Sequence, residues 1–460
     1  MKVKNCAVAG HFYPRQPAEL RQLINSLLRA NPQWGDKPKA VIVPHAAPRF
    51  SGAIAALGFN RIRPFIHEFK RVVILGPAHR VAFNYVAALD ADIWRTPLGD
   101  ITIDRHYTEQ LISRKRVQYL DQAHEEEHSI EVQLPFLQAI GLAQVPILPL
   151  VVGAAEPALT RHLIVDILSD ADNLLIISSD LSHFQPYQQA IKFDRATINT
   201  ILSNNAQING QQACGCYPIN GFLAHLATQQ YDAQALGYCN SGDTGGSKDS
   251  VVGYASFAFT EIFNQQARAH ILAIVRQTIT QQIRNSDVAE LGTKDDDNIK
   301  EFLKRAIFQR PYACFVTLNT FNGGQKQLRG CIGNLQVNGT LGESLVKNAA
   351  LAAFKDTRFQ PLAAAELAAI EIEVSILTCP QPFLVTSEEQ LIESLQVNVD
   401  GLILRYKEHQ ATFLPAVWAQ LTNPIDFIRQ LKLKAGLAAD FWSQDIVCFT
   451  YQALKIAEKG

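Results

Sequence analysis

The sequence predicts an α/β domain with a mostly parallel sheet, followed by an α+β domain. In the first half, short apolar runs alternate with stretches of helical spacing, which is typical of a doubly wound sheet. In the second half, strands and helices mix without strict alternation. The chain of 460 residues is too long for one ordinary domain, and its composition changes after Ile262. We therefore expect one domain over residues 1–262 and another over 265–460.

The strands of the first half are predicted from apolar runs that end on polar residues. The run at 40–44 ends on His45, the run at 71–78 ends on His79, and the run at 174–179 ends on Asp180 and His183. Ligands bind at the carboxyl edge of open α/β sheets. Three such endings therefore predict a shared polar site, and imidazole and carboxylate suit a metal ion or a proton path. The remaining predicted elements are a helix at 17–29, a hairpin around 96–100, and strands at 145–152 and 251–259.

A second polar cluster lies in the stretch EEEHSIEVQLPF at 125–136. His128 and Glu131 are three residues apart and would share one face of a helix. They either belong to a solvated helix start, with Glu127 and Ser129 near its cap, or face the sheet edge as acid–base groups. Further on, Cys214 and Cys216 form a CxC pair, and two residues this close rarely chelate a metal alone. We expect them to be small buried or capping residues.

The second half is predicted from the same kinds of pattern. Arg329 and Cys331 lie in the sequence LRGCIG, where the cation could lower the pKa of the thiol. The alternative is a tight turn between glycines with a buried cysteine. The predicted elements are helices at 269–283, 301–310 and 341–354, a polar loop at 285–298, and strands at 313–318, 370–377 and 401–406.

Composition excludes several classes of protein. Lys plus Arg is 42 and Asp plus Glu is 43, a net charge of -1, so no strong field attracts nucleic acid or an anionic membrane. The eight cysteines are scattered without zinc-finger spacing and are too few for a disulfide scaffold. There is no apolar run of about 20 residues and no signal-peptide segment. We expect a cytoplasmic protein that binds neither nucleic acid nor membrane.

Both halves resemble known families. Residues 1–262 resemble the Memo family through VPHAAPRFSG, LGPAHR, EEHSIEVQLPFL, SSDLSHF and NSGD. Residues 265–460 resemble the AMMECR domain through FVTL, LRGCIG, NAALAAFKDTRFQPL, IEIEVSIL, TFLPAVW and LKAGL. The resemblance implies a fold similar to class III extradiol dioxygenases, which are non-heme iron enzymes. It also implies a radical SAM protein as partner, in the AmmeMemoRadiSam system, and a chain that looks like a fusion of two of its three members.

The resemblance further implies a metal site, at positions that match His45, His79, Asp180 and His183. Iron is the expected ion, with copper, zinc or manganese as alternatives. Some family members have a cysteine ligand where this chain has Thr244, so the thiolate is absent there and the neighbouring Asp243 could supply an oxygen instead. Losing sulfur favours iron, manganese or zinc over copper(I).

Two functions remain open from the sequence. The first is a metal-dependent oxidoreductase acting on an unidentified small molecule or peptide, with His128, Glu131 or His183 as acid–base groups. The second is a metal-binding or peptide-binding scaffold without turnover, since similarity of fold does not carry activity.

Overall fold

The computed structural model describes residues 1–31, 35–226, 231–287, 301–322, 325–337, 339–378, 380–383, 385 and 387–458. The chain divides into two compact units, Met1–Ile262 and Phe263–Gly460. Among the described residues, no helix is both long and apolar enough to cross a bilayer.

The first unit is built around an eight-stranded sheet, counted over the described residues. Its strand order is β10-β11-β2-β9-β3-β8-β4-β7, and the central strands β2, β9, β3 and β8 are parallel to their neighbours within that group. A separate sheet has the order β1-β5-β6. The strands are β1 Val3–Asn5, β2 Ala40–Val43, β3 Arg71–Pro77, β4 Val86–Ala88, β5 Ile93–Thr96, β6 Gly99–Thr102, β7 Gln118–Tyr119, β8 Ile147–Val152, β9 Asn173–Ser178, β10 Tyr231–Asn240 and β11 Gly253–Glu261.

Helices cover both faces of this sheet, which is why its central strands are apolar throughout. Along β2, Val41 packs into the core on one face and Ile42 into the core on the other. Helices α1, α2 and α5 contribute to the first core, and α6 and α8 contribute to the second. The helices are α1 Pro17–Ala30, α2 Pro48–Ile62, α3 Arg105–Ser113, α4 Gln122–Glu125, α5 Leu134–Ile140, α6 Pro157–Leu168, α7 Tyr187–Leu202 and α8 Cys216–Leu226, with 3-10 turns at Arg63–Glu68 and Glu131–Gln133.

The second unit combines helices with two antiparallel sheets, each of four strands in the described part of the chain. Their orders are β13-β12-β14-β19 and β15-β18-β16-β17. The strands are β12 Ala313–Asn322, β13 Gln325–Gly333, β14 Glu371–Leu377, β15 Gln381–Phe383, β16 Gly401–Tyr406, β17 His409–Phe413, β18 Val447–Tyr451 and β19 Ala453–Ala457. The helices are α9 Gln265–Asp287, α10 Ala306–Gln309, α11 Leu341–Phe354, α12 Glu388–Ser394 and α13 Pro424–Lys434, with 3-10 turns at Ala364–Glu366 and Pro415–Ala419.

The predicted fold class is confirmed for both halves: the first contains a mostly parallel sheet between helices, and the second is α+β. The polar loop predicted at 285–298 begins inside α9, which continues to Asp287. Residues 288–300 lie outside the described part of the chain, and so does the rest of that predicted loop.

Candidate metal centre

Adjacent parallel strands bring two histidines to one edge of the sheet. β2 ends two residues before His45, and β3 ends two residues before His79. Both strands pair with β9 in parallel, so their carboxyl ends meet on the same side. The two imidazole ring centroids lie 5.2 Å apart, with the rings edge to face.

The third imidazole comes from the segment between α4 and α5. The ring centroid of His128 lies 5.3 Å from that of His45 and 4.7 Å from that of His79. One nitrogen of each ring lies within 4.8 Å of the other two. The backbone reaches this position because Gly76, near the end of β3, has no side chain: a Cβ there would lie 2.5 Å from Ser129 Oγ.

The tautomer of His45 follows from the hydrogen bonds around Ser178. The Ser178 hydroxyl donates its one proton to the carbonyl of Ser129, at 2.6 Å. It accepts from Gln133 Nε2 at 2.8 Å and lies 2.9 Å from His45 Nδ1. Because the hydroxyl proton is already committed, Nδ1 of His45 carries a proton and donates it. Its Nε2 therefore has a free lone pair, the form in which imidazole binds a metal.

Glu127 fixes the orientation of His79. Its carboxylate accepts from the His79 backbone N–H at 2.7 Å and pairs with His79 Nδ1 at 2.9 Å. Burial alone would raise the pKa of this carboxyl, but the hydrogen bonds from His79 and Ser129 lower it to about 2. An ionised carboxylate behind an imidazole is the usual support of a metal-binding histidine, and it leaves Nε2 to face an ion.

His128 completes the group with a nitrogen that has no hydrogen-bond partner among the described residues. Its Nδ1 is buried and lies 3.3 Å from Glu127 Oε1, but the alignment does not make a hydrogen bond. Burial lowers the pKa of His128 to about 4 and that of His45 to about 3. Both rings are therefore neutral near pH 7, as metal ligation requires. A buried His128 nitrogen without a hydrogen-bond partner among the described residues, next to a second neutral imidazole, is suited to bind a transition metal ion.

The structure places Asp180 and His183 beside this group rather than in it. Asp180 Oδ1 accepts from the backbone N–H of His45 at 2.8 Å and of Ala46 at 3.3 Å, so the carboxylate shapes the turn that carries His45. Burial raises the pKa of Asp180, which is 3% exposed. His183 is half-buried, and its Nδ1 lies 2.9 Å from the carbonyl of Leu181. Of the predicted ligands, the group of imidazole nitrogens contains His45 and His79, together with His128, and ligation by Asp180 or His183 stays a prediction.

Glu131 and Asp243 are not members of this group, and other donors occupy their oxygens. Glu131 is fully buried and accepts from the backbone of Ala7 and Val8 and from the Tyr13 hydroxyl, at 2.6–2.9 Å. This placement anchors the N-terminal segment and does not support the expected proton transfer. Asp243 closes a turn: Oδ2 accepts from the Asn240 N–H at 2.9 Å, and Oδ1 accepts from a tyrosine hydroxyl.

Sequence reasoning missed three contributors to this site: Glu127, Ser178 and Cys214. Glu127 had a signal, since it adjoins His128 in the EEEHS stretch. Ser178 is the last residue of β9 and could have been read as the start of the polar edge. Cys214 was expected to be a small buried or capping residue, and its Sγ lies 3.3 Å from His45 Nε2. That contact joins residues 169 positions apart, so no local pattern could predict it.

In the second unit, Arg329 and Cys331 lie on β13. The Arg329 guanidinium makes two hydrogen bonds to Glu366, at 2.7 and 2.9 Å, so its charge is paired there. The cation that contacts Cys331 is instead Arg358, which donates to the Cys331 carbonyl at 3.1 Å. Asp356 accepts from the Cys331 backbone N–H at 2.9 Å. Asp356 and Arg358 thus satisfy the outward backbone groups of an edge strand at this position.

Comparison with known proteins assigns both units. The family model described as Memo-like protein matches residues 4–258, and that described as AMMECR1 matches residues 272–456. A MEMO1 family protein of Aquifex aeolicus is 34% identical over 270 residues, which cover 56% of this chain and 100% of that protein. One from Methanopyrus kandleri is 35% identical over 276 residues, covering 55% and 97%. A solved structure of an uncharacterised protein from Pyrococcus horikoshii covers 41% of this chain and 90% of its own, at 26% identity and a TM-score of 0.34.

Proposed function

Because the chain belongs to the Memo family and carries an AMMECR1 domain C-terminal to its Memo domain, we propose that its first unit contains a metal-dependent redox centre. His45, His79 and His128 are the proposed ligands of one divalent transition ion. The observation that carries the proposal is the approach of three imidazole nitrogens to within 4.8 Å of one another. Burial lowers the pKa of His45 and of His128, so these two rings are neutral near pH 7.

The donor set ranks the candidate ions. Imidazole suits iron, copper and zinc, whereas manganese prefers carboxylate, carbonyl and water. The three-imidazole group contains no carboxylate among the residues described, which places manganese last. Iron remains our first choice and copper our second, with zinc the ion of a non-redox site. A bound iron or copper ion would supply Lewis acidity and one-electron chemistry, and three protein ligands leave coordination positions open for a substrate.

The chain's own residues provide support and proton transfer. Glu127 and Ser178 hold the rings of His79 and His45 by their Nδ1 atoms, so the ligands need little reorganisation. His183 is our candidate for the acid–base group. Its Nδ1 donates to the Leu181 carbonyl, which leaves Nε2 as an acceptor, and its side chain is half-buried. Burial lowers the pKa of His45 most, and positive charge on His79 or His183 lowers it further.

A radical SAM protein is proposed as the partner of the whole chain. The support is the resemblance of both halves to members of one three-protein system. Affinity purification of the tagged full chain from its native host, under anaerobic conditions, tests the association. Recovery of the chain without any iron–sulfur protein would contradict it.

Metal titration of the anaerobically purified full chain tests the centre. Metal-free protein should bind one Fe(II) per chain, and His79→Ala should abolish that binding because it removes one of three ligands. His162→Ala is the matched control, since His162 is exposed on α6 and lies outside the group. Equal Fe(II) binding by both variants would refute the proposed site.

Oxygen uptake by the iron-loaded chain then separates an enzyme from a scaffold. We expect no turnover with simple catechols, because nothing in the sequence identifies an aromatic substrate pocket. Turnover with a peptide or another reduced small molecule, lost in His45→Ala, is the expected signature of the oxidoreductase. Metal binding without turnover above free iron for every reductant tried would leave a binding protein.

A further inference from the structure

The three proposed ligands are not held in the same way. The ring of His45 is held by a hydrogen bond between its Nδ1 and Ser178, at 2.9 Å. Glu127 holds the ring of His79 at the same atom, also at 2.9 Å. Nδ1 of His128 has no hydrogen-bond partner among the described residues. Rotation of an imidazole about its side-chain bonds would move the nitrogen that faces the ion, so the orientation of the His128 ring depends on packing.

Phe12 packs against the ring of His128. The two ring centroids lie 4.5 Å apart, with 36° between the ring planes, which is contact distance for an aromatic pair. The other rings in contact with His128 are those of His45 and His79, which are themselves proposed ligands. Of these three neighbours, Phe12 alone lies outside the imidazole group, so its contact does not depend on a bound ion.

The segment that carries Phe12 is fastened to the turn that carries His128. Glu131 lies three residues after His128 and is fully buried. Its carboxylate accepts from the backbone N–H groups of residues 7–8, at 2.7 and 2.9 Å, and from the Tyr13 hydroxyl, at 2.6 Å. These donors lie on both sides of Phe12 in the chain. The carboxylate therefore fixes the backbone around Phe12 relative to the backbone around His128.

Hydrogen bonds within the segment stiffen it further. The Phe12 N–H donates to the Val8 carbonyl at 2.9 Å, and the Gly10 N–H donates to the Tyr13 carbonyl at 2.7 Å. Gly10 has φ 87°, in the left-handed region that favours glycine, so this turn depends on a residue without a side chain. The place of the Phe12 ring is thus set by the backbone as well as by its own packing.

We propose that Phe12 is a positioning residue of the metal centre, whose ring holds the imidazole of His128 so that a nitrogen faces the ion. The inference rests on the proposed metal centre and deepens it. It also gives Glu131 a role at the centre other than proton transfer, because Glu131 anchors the segment that places Phe12. The N-terminal segment, more than 100 residues before His128, thereby becomes part of the centre.

The Co(II) affinity of the anaerobic, metal-free full-length chain, measured by competition with a chelator, tests this role. Co(II) stands above Fe(II) in the affinity series of divalent ions, so its binding remains measurable in weakened variants. Phe12→Leu keeps an apolar side chain but removes the flat ring, and it should weaken binding about tenfold. Phe12→Tyr keeps the ring and should restore the wild-type affinity within about twofold. Phe184→Leu is the matched control and should leave the affinity unchanged, because this exposed ring contacts His183 rather than the imidazole group.

A double-mutant cycle with His128→Ala separates positioning from a general structural loss. The two remaining imidazoles should still bind Co(II), more weakly than the wild-type group. Adding Phe12→Leu to that chain should cost less than about twofold more, because the ring that Phe12 holds is already gone. If His128→Ala binds no Co(II), the contrast between Phe12→Leu and Phe12→Tyr decides.

A tenfold loss from Phe12→Leu in both backgrounds would overturn the inference, since Phe12 would then act on the fold or on the other ligands. An unchanged affinity in Phe12→Leu, or an equal loss in Phe12→Tyr, would overturn it too. Failure of the wild-type chain to bind Co(II) would instead refute the proposed centre itself. If Phe12→Leu does not fold, Phe12→Ile, which also lacks a flat ring, takes its place with the same expected loss.

Discussion

Replacing Glu127 with glutamine should damage the metal centre without touching a proposed ligand. Glu127 is 1% exposed, and its carboxylate accepts from the backbone and ring of His79 and from the Ser129 N–H, at 2.7–2.9 Å. Glutamine has the same shape but replaces one oxygen by an NH2 group. If that group donates to His79 Nδ1, the ring proton moves to Nε2 and the lone pair offered to the ion is lost.

The expected losses of stability and of metal affinity follow from the pKa of the Glu127 carboxyl and from its hydrogen bond to the proposed ligand His79. Although burial opposes ionisation, hydrogen bonds lower the pKa of Glu127 from 4.5 to about 2, which corresponds to about 3 kcal/mol of stability above pH 4.5. That stability is lost as pH falls from 4.5 through about 2. Glu127→Gln at pH 7 should therefore lower the free energy of unfolding of the first unit by about 3 kcal/mol. Metal affinity should fall about 10- to 100-fold, as for other residues that support metal ligands.

Competition with a chelator measures the Co(II) affinity, and hydrogen exchange of β3 followed by mass spectrometry reports the stability of the first unit by itself. Glu126→Gln is the matched control, because Glu126 is adjacent and exposed. It should change the affinity less than about twofold, since surface substitutions rarely exceed ~0.5 kcal/mol. An unchanged Co(II) affinity in folded Glu127→Gln would show that the carboxylate does not orient the ligand.

Three further outcomes are expected. In metal-free protein, burial lowers the pKa of His45 to about 3 and that of His128 to about 4, so the unfolded chain takes up protons first as pH falls below 6.5. Hydrogen exchange of β3 should therefore show the free energy of unfolding falling by up to about 1.4 kcal/mol per pH unit for each ring. A flat profile from pH 6.5 to 4 would contradict this. Asp356→Asn should lower the free energy of unfolding of the second unit by about 1–3 kcal/mol, because Asp356 accepts from the Cys331 N–H and pairs with the Arg358 guanidinium. Hydrogen exchange of β12 measures the loss. A loss no larger than that of the exposed control Asp440→Asn would count against this role. Phe184 has φ 61° and is 77% exposed, so Phe184→Gly should stabilise the first unit by up to about 1 kcal/mol. A loss above about 1 kcal/mol would mean that the contact of its ring with His183, at 5.8 Å between centroids, outweighs the backbone strain.

The sequence predicted the sheet and two of the three imidazoles for one physical reason. An apolar run buried on both faces must end where the chain leaves the core, and that end is the ligand-binding edge of a parallel sheet. His45 and His79 each follow such a run by two residues, so the sequence alone predicts that they converge. His128 lies in an irregular segment without periodicity, and its place remained open between a helix cap and an acid–base group.

Charge and strand position predicted the carboxylates as metal ligands, but these features do not reveal which donors a side chain meets. At the turn after β9, the backbone N–H groups of His45 and Ala46 are buried and need acceptors, and Asp180 supplies one. Backbone satisfaction thus competes with metal ligation for the same oxygen.

The position of Cys214 was missed because its contact with His45 joins residues 169 positions apart. A buried thiol usually packs as a small apolar group, as Cys216 does. Cys214 instead accepts a hydrogen bond from the Asp180 N–H, and its Sγ lies 3.3 Å from His45 Nε2. The turn that brings it there depends on the absence of a side chain at Gly215. Gly215→Ala should therefore lower the free energy of unfolding of the first unit by about 1–3 kcal/mol, because the added Cβ would lie 2.7 Å from Ser179 Cβ. Hydrogen exchange of β9 measures the loss, and exchange as slow as in the wild-type chain would show that the turn accommodates a side chain here.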